Sequence, residues 1–247
     1  MREAVLAGIH AKLLKVVWWV IYYTLRPAIK FMFRIRLFGE ENLPRNENFL
    51  LAANHFGTLD FLFIPYAAIG LRKPIRGMAK AELYDNLVTR AVFSFFKAVY
   101  VKRGKSDTRA IEDAIQAVRE GYIFGIAPEG TRQPNAELGR FHTGAARIAL
   151  VTGKPIVPLY IAESYEVLKK GKLFPNFVKV MIYIGETIRV EQYGGREDRE
   201  SATEITEKVR DSITRMHERY EKEKRAYLVQ RNLVDLDVRG VFATGGF

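Results

Sequence analysis

The sequence predicts an α/β fold, a mostly parallel sheet flanked by helices, with a membrane-associating helical segment at the N-terminus. Three observations carry this. From residue 34 onward, short β-branched or apolar runs alternate with helix-length stretches, the pattern of a parallel sheet with crossover helices. Apolar residues make up 48% of the 247 positions, enough for one sizeable core with or without a small appendage. Residues 1–36 carry seven Lys/Arg against one acid, Glu3, around a strongly aromatic run, a combination that favours anionic lipid.

In that first segment, Val16-Val17-Trp18-Trp19-Val20-Ile21-Tyr22-Tyr23 is uncharged. The apolar stretch from Leu13 to Leu25 is 13 residues long and already contains Lys15, whereas a straight span needs about 20. A helix that enters one leaflet and returns, broken near Pro27, fits better, with a second helix from Ala28 to Phe33. Tryptophan and tyrosine prefer the headgroup level. An ordinary core helix with packed aromatics is the alternative. The division expected is therefore 1–33, amphipathic or monotopic membrane-binding helices, and 34–247, one α/β domain. The location expected is the cytoplasmic face of the cell membrane, peripheral or monotopic.

Strands are predicted at Arg34–Phe38, Phe49–Ala53, Ile75–Ala79, Ala98–Val101, Tyr122–Ala127, Pro155–Ile161 and Val178–Ile184. Helices are predicted at Thr58–Ile69, Ala81–Lys97, Asp107–Glu120, Phe141–Thr152 and from Thr203 onward. The stretch 107–121 shows why. Ser106 or Asp107 can cap its start, Ile111, Ala114, Ile115 and Val118 form one apolar stripe, and Gly121 can close its end. After Thr203, Ile205, Val209, Ile213, Met216 and Tyr220 recur every three or four residues, with charges filling the opposite, solvated face.

Lys and Arg number 39 against 28 acids, a formal charge of +11, which asks for an anionic partner. The chain has no cysteine, which removes disulfides, thiolate nucleophiles and thiolate metal sites. His10, His55, His142 and His217 show no metal-ligand spacing, so no metal is expected.

Chemistry points first to Asn54-His55-Phe56-Gly57-Thr58-Leu59-Asp60, between a buried-strand pattern and an apolar helix. On a regular helix, residues five apart point about 140° away from each other. His55 and Asp60 meet only if His55 lies in the strand-to-helix turn, with Gly57 bending the chain and Thr58 capping the helix. Asp60 then falls in the first helical turn, where the helix dipole favours its charge. Its carboxylate can fix the imidazole tautomer and leave the other nitrogen as a general base. A histidine after a strand is also commonly a satisfied structural residue, so the pair alone leaves both readings open.

Two further strand ends corroborate it. Ala127-Pro128-Glu129-Gly130-Thr131-Arg132 carries an acid, a hydroxyl and an arginine at the C-terminal end of a buried strand, the edge where ligands gather in open α/β sheets. Lys102, Arg103 and Lys105 follow another strand, and such cations suit a phosphate.

In order, these blocks resemble the glycerolipid acyltransferase family, specifically the bacterial 1-acylglycerol-3-phosphate acyltransferases. The resemblance covers most of residues 34–200. Asn54 to Asp60 is similar to the family's N-H-x-x-x-x-D block, and Pro128-Glu129-Gly130-Thr131-Arg132 to its P-E-G-T-R core. The strand ending at Arg103 is similar to its G-x-x-F-[IV]-x-R block, and Ile156-Val157-Pro158-Leu159 to its apolar-proline strand. The sequence departs from the usual pattern at Ala98, Tyr100, Ala127 and Gln133.

The resemblance implies acyl transfer from acyl-CoA or acyl carrier protein, serving as substrate and without a cofactor, to the sn-2 hydroxyl of lysophosphatidic acid. It makes His55 the base and Asp60 its orienter. Arg103 and Arg132 hold the phosphate with Lys105 as helper, and Glu129 orients the glycerol or the arginines within the Glu129-Gly130-Thr131-Arg132 binding turn. Backbone N–H groups near Phe56 and Gly57, or beyond, stabilise the oxyanion. The partners implied are membrane lipid and the acyl carrier, with no nucleic acid. Glycerol-3-phosphate or another lysophospholipid is the alternative acceptor, and a non-catalytic membrane-surface protein the more distant alternative.

Overall fold

Alternation within the strands decides the architecture. Phe49, Leu51 and Ala53 join one buried apolar cluster, while Leu50 and Ala52 join another. Val157, Leu159 and Ile161 likewise fall in the first cluster, and Ile156, Tyr160 and Ala162 in the second. Strands buried on both faces need helices on both sides of the sheet.

The structure is a computed structural model that describes residues 24, 26–85, 87–95, 97–101, 108–133, 135–169, 172, 174–195 and 198–243. Its strands are β1 (Arg36–Phe38), β2 (Leu50–Ala53), β3 (Ile75–Lys80), β4 (Val99–Val101), β5 (Ile123–Ile126), β6 (Ile156–Ala162) and β7 (Met181–Ile184). Its α-helices are α1 (Arg26–Met32), α2 (Asp60–Ala68), α3 (Leu87–Phe95), α4 (Thr108–Arg119), α5 (Gly144–Thr152), α6 (Ser164–Val167) and α7 (Arg199–Ala243). The strands form one sheet in the order β1-β7-β6-β2-β5-β3-β4. Every neighbouring pair is parallel except β6–β7.

One face is covered by α4, α5 and α7 through Ala114, Ala117, Ile148, Ile205 and Val209, and the other by α2 through Phe63, Tyr66 and Ala67. Ile205, Val209, Ile213 and Tyr220 make the α7 stripe. A fully buried Ile or Val side chain contributes about 1.5–3 kcal/mol, whereas exposed ion pairs one helical turn apart contribute about 0.3–0.5 kcal/mol. The stripe, not the charged outer face, therefore holds α7 down.

All seven predicted strands form; β3 runs one residue further, to Lys80, β6 is shifted by one residue to Ile156–Ala162, and the others are shorter than predicted. Arg34 has φ 43°, a left-handed conformation that cannot continue a strand, so β1 starts at Arg36. The helix predicted over 81–97 is divided into a 3-10 turn, Ala81–Tyr84, and α3; Asp85 N–H bonds Glu82 O, and the Thr89 hydroxyl bonds Leu83 O across the break. The helix predicted from Phe141 begins instead at Gly144, because His142 N–H is drawn to Pro128 O at 2.8 Å.

Gly121 closes α4 as expected, with Tyr122 N–H on Ala117 O and Gly121 N–H on Val118 O, a Schellman arrangement. Ser106 and Asp107, expected as caps, lie outside the described residues. The C-terminal helix starts earlier than Thr203 because Asp198 caps it, its Oδ1 accepting Ser201 N–H at 2.7 Å. Pro27 sits in the first turn of α1, where a proline is tolerated. The aromatic run at 16–23 lies outside the described residues. Among the described residues no helix is long and apolar enough to cross a membrane.

Candidate active site

β2 and β5 are parallel neighbours at the centre of the sheet, so the turns that leave their C-terminal ends lie side by side. Asn54, fully buried, fixes where the first turn begins. Its Nδ2 donates to Ile161 O at 3.1 Å and its Oδ1 accepts Ile161 N–H at 2.7 Å. The side chain thus continues the β2–β6 ladder one step past Ala53, satisfying an amide that would otherwise be costly to bury.

His55 then leaves the sheet, and the chain crosses close under α6. A Cβ on Gly57 would stand 2.3 Å from the Ser164 carbonyl oxygen, so this position has room only for glycine. The close approach, not a left-handed φ, is what requires it. Asp60, at the first position of α2, is fully buried. Its Oδ2 lies 2.8 Å from His55 Nδ1 and accepts Gly57 N–H at 2.9 Å. Both are short bonds of good length. His55 keeps 22% side-chain exposure, so the ring is anchored from beneath and reachable from outside.

Two details differ from the sequence reading. Thr58 does not cap α2; no side-chain cap is made there, and its Oγ1 accepts Arg132 Nη1 at 2.5 Å. Gly57 N–H is committed to Asp60, which removes it from the candidate oxyanion donors.

The second turn follows β5. Gln133 N–H donates to His55 O at 2.8 Å, joining the two turns through their backbones. Gly130 has φ +67°, the left-handed region that glycine occupies without penalty, and it turns the chain so that Glu129 points inward and Arg132 outward. Glu129 is 2% exposed, and neither carboxyl oxygen has a hydrogen-bond partner among the described residues. Burial pushes its pKa up to about 7, and Asp60 adds to the rise, against the opposing pull of the His55 and Gly139 N–H groups and the Gln133 amide nearby. Thr131 and Arg132 are exposed.

The predicted residues His55, Asp60, Glu129, Gly130, Thr131 and Arg132 thus come together at one sheet edge. Arg103 and Lys105 lie outside the described residues. Val101 ends β4, three strands from β2, a separation of ~14 Å at normal strand spacing. The roles of Asn54 as a sheet-extending clamp and of Ser164 as the carbonyl against Gly57 were not read from the sequence. An asparagine directly after a fully apolar strand was the available signal for the first. The second had none, since the contact is formed 107 residues downstream of Gly57.

The sequence matches a family model described as Acyltransferase over residues 34–162, just over half of the chain. A 1-acyl-sn-glycerol-3-phosphate acyltransferase of Borreliella burgdorferi is 29% identical over 184 residues, covering 74% of this chain and 71% of that protein. One of Bacillus subtilis is 27% identical over 191 residues, covering 76% and 90%. The crystal structure of the 1-acyl-sn-glycerophosphate (LPA) acyltransferase of Thermotoga maritima superposes with a TM-score of 0.68 at 26% identity, covering 86% of this chain and 83% of that one. With its two adjoining strand-end turns lying inside or against the matched segment, the chain belongs to the acyltransferase family.

Proposed function

We propose that this chain transfers an acyl group from a thioester, acyl-CoA or acyl carrier protein, to the sn-2 hydroxyl of lysophosphatidic acid, giving phosphatidic acid at the cytoplasmic face of a membrane. The observation that carries the chemistry is the 2.8 Å bond from His55 Nδ1 to a buried Asp60 that is also held by Gly57 N–H. The relatives of Borreliella burgdorferi and Bacillus subtilis, both 1-acyl-sn-glycerol-3-phosphate acyltransferases, support the acceptor.

In this reading Asp60 accepts the Nδ1 proton and fixes the tautomer, so Nε2 is the base. Nε2 takes the proton of the acceptor hydroxyl as its oxygen attacks the thioester carbonyl. A C–O bond forms, the C–S bond breaks, and the imidazolium returns the proton to the departing thiolate. No acyl-enzyme is involved, since the nucleophile is the substrate's own oxygen. Arg132 sits at the mouth of the pair and engages the acceptor phosphate, with Arg103 and Lys105 assigned to the same anion. Glu129 orients the glycerol, and the buried, unpartnered state of its carboxyl is a cost of the kind found at functional sites. Residues 1–33 form the membrane-binding segment, and 34–247 the acyltransferase domain.

The test is transfer of a labelled acyl group from acyl-CoA, then from acyl carrier protein, to detergent-dispersed lysophosphatidic acid, with His55→Ala as control. Labelled phosphatidic acid from the wild type, and a loss of about 10²–10⁴-fold in the variant, is the result expected. Undiminished product from the variant removes His55 as base. Product only with glycerol-3-phosphate or another lysophospholipid keeps the chemistry and replaces the acceptor.

A further inference from the structure

Topology brings a second group of residues to the edge that carries His55. β7 runs antiparallel to β6, with Met181 paired to Ala162, so β7 begins where β6 ends. β1 is parallel to β7, with Arg36 beside Met181. The C-terminal ends of β2 and β6, the start of β7 and the α1–β1 junction therefore share one edge of the sheet. Residues 174–179, which lead into β7, and α1, which leads into β1, both lie there.

These two pieces are tied together. Arg34 Nη2 donates to Phe177 O at 2.6 Å, Val180 N–H to Phe33 O at 3.0 Å, and the Phe33 and Phe177 rings are 6.4 Å apart. The surface they form is apolar and basic at once. Phe31 is 88% exposed, Phe174 79% and Phe177 61%, and around them stand exposed Lys30, Arg34, Arg36, Lys172 and Lys179. Glu40 is the acid that borders the adjoining cleft. Three phenyl rings in water are a cost that a soluble partner-free surface does not usually carry at one place, and rings rimmed by cations fit the boundary between headgroups and acyl chains.

We infer that residues 174–179 are a second membrane-contact element, which with α1 seats this sheet edge on an anionic bilayer and presents His55 to acceptors lying in it. The inference rests on the membrane-surface reading above and adds a contact outside residues 1–33. Phe174 enters the interfacial layer while Lys172 and Lys179 meet headgroup phosphates, each such lysine strengthening attraction to an anionic surface.

The full-length protein is titrated with vesicles of phosphatidylcholine alone and with added phosphatidylglycerol, and the lipid concentration at half-binding is read by sedimentation. Phe174→Ala raises that concentration by about fivefold or more on both vesicles, because an inserted ring is lost; Phe174→Trp restores it, tryptophan being favoured at the interface. Lys172→Glu with Lys179→Glu raises it by roughly tenfold or more on anionic vesicles, with little change on neutral ones. Transfer to a short-chain, monomeric lysophosphatidate stays within about twofold of wild type in all three variants, because none of these residues touches the reacting groups. Unchanged half-binding in both loss variants overturns the inference, as does an equal fall with monomeric acceptor. Failure of the wild type to acylate any lysophosphatidate overturns the proposed acceptor instead, and leaves the vesicle result to stand by itself.

Discussion

Asp60 and Glu129 are buried carboxyls in turns that follow adjacent parallel strands, yet their surroundings differ. Asp60 Oδ2 lies 2.8 Å from His55 Nδ1 and accepts the Gly57 N–H, while its Oδ1 has no partner among the described residues. Glu129 receives none in bonding geometry, and its pKa rises to about 7 through burial first and the neighbouring Asp60 second. The same functional group, one strand apart, is in one place held by hydrogen bonds to one of its oxygens and in the other buried without a partner on either. In the proposed mechanism this contrast would separate an orienting carboxylate from one whose charge can respond to a bound substrate.

The largest effect that sharpens the contrast comes from Asp60→Asn. The amide keeps the shape but can donate to Nδ1, favouring the tautomer that leaves Nε2 protonated and unable to accept a proton. Acyl transfer at saturating acceptor falls by about 10³–10⁴-fold, with the melting temperature tracked alongside. A loss of less than about tenfold in a folded variant would mean that His55 does not need Asp60 for its tautomer.

Arg132→Ala should act more weakly and in a different parameter. Arg132 is exposed and touches Thr58 rather than the imidazole, so its removal weakens acceptor binding and leaves proton transfer alone. The apparent KM for lysophosphatidic acid rises about 10- to 100-fold, the scale of a lost charge-assisted bond, while kcat changes little. Equal effects on phosphate-bearing and phosphate-free acceptors would take the phosphate away from Arg132.

How much of this was legible beforehand follows the range of each interaction. His55 and Asp60 are five residues apart, and helix geometry alone requires a turn between them for the bond to form. The two-faced strands were legible because Phe49 to Ala53 and Ile156 to Ile161 are apolar without interruption. The contacts that finish the site run farther. Asn54 reaches Ile161 across 107 positions, and the Gly57 constraint comes from a carbonyl on α6. An asparagine directly after an apolar strand hints at the first, and the second leaves no local pattern. The division of the helix predicted over 81–97 depends on a Thr89 hydroxyl competing for the Leu83 carbonyl, a choice that apolar periodicity does not report.

The smallest effect is on stability, and its pH dependence is what tests the Glu129 half of the contrast. An acid whose folded pKa is raised binds more protons folded than unfolded, so its ionisation opposes folding. The wild type loses stability as pH rises from about 4.5, the ordinary value, to about 7, the folded one, by on the order of 3 kcal/mol at most; above that window the contribution is constant. Glu129→Gln has no proton to lose. Its stability relative to wild type should therefore climb across that window and level off near pH 8. The absolute offset includes the amide's own unmet bonds, so the slope, taken from denaturant unfolding at several pH values in one detergent, is the quantity to read. Parallel curves for the two proteins would mean that Glu129 ionises as easily folded as unfolded. The difference in hydrogen bonding between the two carboxyls would then have no consequence for the charge of Glu129.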